Sequence, residues 1–92
     1  MHKFAVILSK QAVRDLRDLP DEHAEMILDS WGELQENPFP RGKLIKKIKG
    51  TKSVYYRLRV NQYRAFYEIS GRQVIILRVV PKKDADKYIK HL

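Results

Sequence analysis

The chain has 92 residues, a formal net charge of +8 and no cysteine, which reads as one small domain over residues 1–92 with a single modest core and no disulfide or thiolate metal site, as suits a reducing cytoplasm. No apolar run approaches the roughly 20 residues that span a bilayer, and Met1-His2-Lys3-Phe4 leads into a short strand rather than a signal peptide, so a soluble cytoplasmic protein with no membrane partner is expected. The charge is segregated: residues 1–36 carry 4 of the 19 Lys and Arg but 8 of the 11 Asp and Glu, a net of −4, while residues 37–92 carry 15 and 3, a net of +12, and a basic region this strong predicts a polyanionic partner, nucleic acid before membrane.

Phe4 to Leu8 reads as a short apolar strand, followed by Ser9 in the position of a helix N-cap. The spacing of Ala12, Val13, Leu16 and Leu19 predicts a helix from Lys10 to Leu19, stopped by Pro20. A second helix, capped by Asp21, is predicted to Glu36, with Ala24, Ile27, Leu28, Trp31 and Leu34 on its apolar face. The two helices form a hairpin whose outer surface holds most of the acids. Asn37-Pro38-Phe39-Pro40-Arg41-Gly42 is a loop by its proline and glycine content, and Leu44 to Gly50 is either a short edge strand or a turn. Lys43, Lys46, Lys47, Lys49 and Lys52 have two readings: lysines guard edge strands against pairing with another chain, and they also make sequence-independent phosphate contacts.

Val54 to Ile69 carries the strongest pattern. Two runs of β-branched and aromatic residues flank Asn61-Gln62, which predicts a two-residue hairpin turn with Val60 opposite Tyr63. That register places Tyr56, Leu58, Val60, Tyr63, Ala65, Tyr67 and Ile69 on one face, expected to be core, and Tyr55, Arg57, Arg59, Arg64, Phe66 and Glu68 on the other. Arginines directly opposite each other repel. Their stems can cover neighbouring rings on a solvated surface; alternatively, three guanidinium groups beside two aromatics form a cradle for phosphates and unstacked bases, the reading preferred here.

Val74 to Val80 reads as the most buried strand, in the middle of the sheet, with the face taken by Arg78 left open by the loop register. Lys82 to Leu92 supports a short helix with Ala85, Tyr88, Ile89 and Leu92 on one side. The predicted order is β-α-α-β-β-β-α, an α+β fold in which a small antiparallel sheet packs against an N-terminal helical hairpin. His2, His23 and His91 are scattered, and no phosphate-binding glycine loop, GxSxG or dinucleotide fingerprint is present.

Lys49-Gly50, Tyr56-Arg57-Leu58-Arg59-Val60, Tyr63-Arg64-Ala65-Phe66-Tyr67-Glu68-Ile69 and Leu77-Arg78-Val79, with Leu19-Pro20 between the helices, resemble the RelE family of type II toxins within the RelE/ParE superfamily. The resemblance covers nearly the whole chain. It implies a compact α+β fold, a cognate acidic RelB-like antitoxin, and cofactor-free cleavage of mRNA in the ribosomal A site by 2′-hydroxyl attack; a ParE-like gyrase poison or a non-cleaving RNA-binding or ribosome-binding relative are the alternatives. Arg57 and Arg59 stand where relatives have paired lysines or arginines, and Arg64 stands at the arginine after the turn. Where the family has Gly-His-Arg-Lys and then a tyrosine, this chain has Val80-Pro81-Lys82-Lys83 and Tyr88, which argues against a Glu/His acid-base pair and resembles archaeal members.

The catalytic residues implied by the resemblance are therefore Arg57, Arg59, Arg64, Lys82 and Tyr88. RNA contacts are expected from Phe66, Arg78 and the five lysines. Guanidinium groups suit a phosphate whose charge grows in the transition state. Since arginine stays protonated, proton removal falls to Lys82 or Tyr88 if the surrounding cations lower either pKa. Lys82 also reads as a solvated lysine at a helix start, and Tyr88 as core packing.

Overall fold

The structure, a computed structural model, describes residues 3–92, so Met1 and His2, including the expected lead into the first strand and one of the scattered histidines, lie outside the described residues. The elements run β1 (Ala5–Leu8), α1 (Lys10–Arg17), α2 (Asp21–Glu36), β2 (Ile45–Lys47), β3 (Tyr56–Val60), β4 (Tyr63–Ser70), β5 (Gln73–Pro81) and α3 (Lys82–Ile89). Among the described residues no helix is long and apolar enough to cross a membrane.

The strands form one sheet in the order β1-β5-β4-β3-β2. Three of the four pairings are antiparallel and β1 runs parallel to β5, so the sheet is mixed rather than wholly antiparallel. This follows from the connection, because two helices intervene after β1 and the chain returns to pair β5 with β1 at the sheet's edge. The Leu44 to Gly50 segment supplies the opposite edge strand, and β5 lies inside the sheet between β1 and β4.

The β3–β4 hairpin has the predicted register, from Val60 opposite Tyr63 to Tyr56 opposite Tyr67. Asn61 makes the turn at a φ of 51°, a left-handed conformation that asparagine tolerates better than most residues. One face of the sheet, with Leu58, Val60, Ala65, Tyr67, Val74, Ile76 and Val79, packs against Ala12 of α1 and Ile27, Trp31 and Leu34 of α2. The Tyr67 hydroxyl donates to the carbonyl of buried Pro38 at 2.6 Å, and burial pushes its pKa well above the ordinary tyrosine range.

The opposite face carries a second, smaller core in which α3 lies over the sheet: Ile48, Phe66, Val80 and Ala85, flanked by Tyr55, Tyr88, Ile89 and Leu92. The predicted stripe of the C-terminal helix is thus used in full. The two cores share β5 because of a bulge: Tyr67 pairs with Ile76 but Phe66 pairs with Arg78, leaving Leu77 as an extra residue. The bulge inverts the alternation, so Ile76 faces the helical hairpin while Arg78, two residues on, faces α3 with Phe66.

Local expectations are met unevenly. The Ser9 side chain accepts from the Ala12 N–H at 3.1 Å, as an N-cap should, and its own hydroxyl donates to the bulged Leu77 carbonyl at 2.9 Å. Asp21 does not cap α2. Pro20 holds that position, whose fixed φ suits the helix entry, and Asp21 and Glu22 sit in the first turn beside the positive end of the helix dipole. Leu28 is 46% exposed instead of joining the α2 stripe, because the stripe narrows to Ala24, Ile27, Trp31 and Leu34.

Candidate active site

The hairpin positions the basic residues. Alternation along β3 and β4 puts Arg57 opposite Phe66 and Arg59 opposite Arg64, and pairing of β2 with β3 adds Lys46 opposite Arg57. From the other side, the first residue of α3 is tied to the hairpin turn, with the Lys82 N–H donating to the Gln62 carbonyl at 2.7 Å. These elements enclose a cleft of about 420 Å³ lined by Lys46, Lys47, Ile48, Lys49, Arg57, Arg64, Lys82, Ala85, Asp86 and Ile89.

Arg64 is the best-held cation of the group. It is only 5% exposed, and its Nη1 donates at 2.8 Å to the carbonyls of both Asn61 and Tyr63. Neither its Nε nor its Nη2 has a protein acceptor among the described residues, and no carboxylate forms an ion pair with it. Burial lowers its pKa, with Arg57 and Arg59 adding repulsion. Arg57 is lowered by burial and then by Arg59. A guanidinium group remains charged under these conditions, so the cost of holding like charges together is relieved when an anion enters.

The other expected site residues divide differently. Phe66 is 0% exposed, covered by α3, with its ring 4.9 Å from that of Tyr88; it cannot stack on a base, and the apolar stripe of α3 is what buries it. Arg78 is not an open cation. Its Nε and Nη2 donate to the Asp15 carboxylate at 2.8 and 3.2 Å, and the same carboxylate accepts the Val79 N–H at 2.9 Å. The guanidinium also lies 5.4 Å from the centre of the Tyr88 ring.

Tyr88 therefore packs behind α3, in a groove it shares with Asp15, Arg78, Asp84 and His91, outside the basic cleft. Burial raises its pKa despite the opposing effect of Arg78, the reverse of what a phenolic base requires. Arg59 is exposed and reaches a separate hollow at the hairpin tip beside His23, Met26 and Tyr63, where His23 Nδ1 and the Tyr63 hydroxyl share a 2.8 Å hydrogen bond. Lys43 and Lys52 are exposed and do not line the cleft, whereas Lys46, Lys47 and Lys49 do.

Two acids escaped the sequence reading. Asp15, 63 residues from Arg78 in sequence, reaches it because β1 stops at Leu8 and leaves the far half of β5 open for α1 to cover. Asp86 is, among the described residues, the one carboxylate in the lining of the cleft. Its signal was its spacing, since Lys82 and Asp86 are four apart on one helix and so share a face. Among the described residues no three His, Cys, Asp or Glu side chains group in a way that could hold a metal ion.

The sequence and the five-stranded α+β scaffold that carries this cleft are similar to those of known toxins. The family model for the ParE toxin of the type II toxin–antitoxin system parDE matches residues 6–86. Toxin RelE3 of Methanocaldococcus jannaschii is 38% identical over 85 residues, covering 90% of this chain and 96% of that protein. Among solved structures, the archaeal RelE–RelB complex from Pyrococcus horikoshii aligns with a TM-score of 0.72 at 31% identity, covering 87% of this chain and 96% of that one. The RelB–RelE complex from Methanococcus jannaschii aligns at 0.68 and 35% identity, covering 89% and 96%. The family match and the fold together define a toxin of the RelE/ParE superfamily. Within it, the chain belongs to the RelE family of type II toxins.

Proposed function

We propose that the chain is a ribosome-dependent endoribonuclease that cuts mRNA in the A site without a metal or other cofactor. The observation that carries this reading is the single cleft in which Arg57, Arg64 and Lys82 converge with Lys46, Lys47 and Lys49. RNA brings its own nucleophile, the 2′-hydroxyl, so the protein has to orient it, stabilise the charge on the pentavalent phosphate and handle two protons. Arg64, immobilised by the turn carbonyls, and Arg57 stabilise the phosphate oxygens. The three lysines dock the backbone, Arg59 extends the positive field toward the hairpin tip, and Lys82 protonates the departing 5′-oxygen.

Primer extension on an mRNA in a translating extract tests this. Cuts confined to reactions with ribosomes, with a cyclic phosphate on the upstream fragment, are expected; cuts without ribosomes, or none with them, overturn it. Action on gyrase is the second reading, favoured by the ParE description of the matching family model, and a supercoiling assay with purified gyrase separates the two. Ribosome binding with no cut identifies a non-cleaving relative in which Pro81 and Lys82, at the positions of the family's histidine and arginine, mark lost activity.

The partner we infer is an acidic RelB-like antitoxin that covers the arginine face and packs along the helices. Support comes from the relatives solved as RelE–RelB complexes and from the +12 charge of residues 37–92. Co-expression should rescue growth, and the complex should weaken as salt rises.

A further inference from the structure

We propose that Asp86 is the general base of the cleft, taking the proton of the attacking 2′-hydroxyl while Lys82, one helical turn away, supplies the proton to the leaving oxygen. The assignment rests on the endonuclease reading above and completes its proton handling. Reaction by 2′-hydroxyl attack needs an acceptor within reach of the scissile phosphate. Arginine offers only donors, and so does a lysine ammonium. Tyr88 lies behind α3 in a different groove, packed on Phe66 and Arg78. The cleft is otherwise lined by Lys46, Lys47, Lys49, Arg57, Arg64 and Lys82, together with Ile48, Ala85 and Ile89, so among the described residues the carboxylate of Asp86 is its one anionic acceptor.

Geometry strengthens the assignment. Asp86 is exposed and, among the described residues, joins none of these cations in an ion pair. Positions 82 and 86 project from the same face of α3, with Cβ atoms about 5–6 Å apart at this spacing, and both side chains line the cleft. In-line displacement places the attacking and leaving oxygens on opposite sides of phosphorus, so a base and an acid side by side on one rigid helix can serve one oxygen each. The O2′–H bond breaks and its proton goes to the Asp86 carboxylate as the O2′–P bond forms. The P–O5′ bond breaks as O5′ takes a proton from the Lys82 ammonium, leaving a 2′,3′-cyclic phosphate and a 5′-hydroxyl. Solvent then returns the proton from the Asp86 carboxyl to the Lys82 amine.

The test compares Asp86→Asn and Asp86→Glu with the unaltered protein on ribosomes programmed with mRNA. Two quantities are read: the single-turnover cleavage rate, and affinity for a ribosome whose mRNA carries a 2′-methoxy group at the scissile nucleotide and so cannot react. Asp86→Asn should lower the rate by about 10²-fold while binding the methoxy complex at least as tightly, since an anion has been removed from a cationic cleft. Asp86→Glu should recover part of the rate. Unfolding temperature should be unchanged in both, as the side chain is exposed. A normal rate in Asp86→Asn overturns the assignment alone, as does a loss of rate matched by an equal loss of binding. If the unaltered protein cuts nothing, the endonuclease reading falls and this assignment falls with it.

Discussion

The two sides of α3 use the same residue types to opposite ends. In front of it, Arg57 and Arg64 face the cleft with no carboxylate paired to them among the described residues, and burial together with repulsion from neighbouring arginines, Arg59 acting on both, lowers their pKa values. Behind it, Arg78 is neutralised by Asp15 and packed on Tyr88, and the hydrogen bond to Asp15 raises its pKa. An arginine beside an aromatic ring is thus no guide to function by itself. What separates them is whether the protein already supplies the counter-charge: where it does, the guanidinium ties elements together, and where it does not, the position is left for an external anion.

The largest expected effect breaks the front side. Arg64→Ala should lower the single-turnover rate on saturated ribosomes by about 10²-fold or more if the guanidinium stabilises the developing charge. A normal rate once bound would make the arginine face a docking surface only. Arg78→Ala should act the other way round, costing about 2 kcal/mol of stability through the lost charge-assisted hydrogen bonds, measured by urea denaturation, with cleavage on saturated ribosomes nearly intact. Loss of cleavage in a stably folded Arg78→Ala protein would erase the distinction between the two sides.

How far these assignments could be read in advance depends on whether they were local. The turn at Asn61-Gln62, the alternation it sets and the Ser9 cap are governed by neighbouring residues, and the structure has each of them. Phe66 was misplaced because alternation assigns a residue to a face without saying what covers that face. The stripe of Ala85, Tyr88, Ile89 and Leu92 needed an apolar partner, and Phe66 with Val80 supplies it. The Asp15 contact depends on where β1 ends relative to β5, a non-local fact with no sequence pattern. Arg57, Arg64 and Lys82 do share a cleft, while Arg59 and Tyr88 lie apart from it.

A third test uses pH. Tyr67 and Tyr88 both have phenols raised above the ordinary value of 10.0 by burial. The folded state therefore keeps these protons after the unfolded chain has begun to lose them, so their contribution is whole below about pH 10 and is lost as pH rises through the folded-state values. Stability measured across that range should fall, and Tyr88→Phe should flatten the part due to the back of α3 without touching the front. The smallest effect is expected from the docking lysines. Changing Lys46 and Lys47 together to Ala should weaken ribosome binding severalfold and reduce its salt dependence, with the saturated rate preserved.

The bulged Leu77 has a consequence for comparing this chain with its relatives. Positions counted forward from Gln73 and positions counted back from Pro81 disagree by one residue about which side of the sheet they occupy. A relative without the extra residue would keep the counterpart of Arg78 beside that of Phe66, facing α3, because plain alternation after Ile76 puts the next residue there. An alignment of β5 therefore has to open a single-residue gap between Ile76 and Arg78 whenever the bulge is missing. Deleting Leu77 would therefore restore plain alternation along β5 while leaving Val74, Ile76 and Val79 inward and Arg78 and Val80 toward α3.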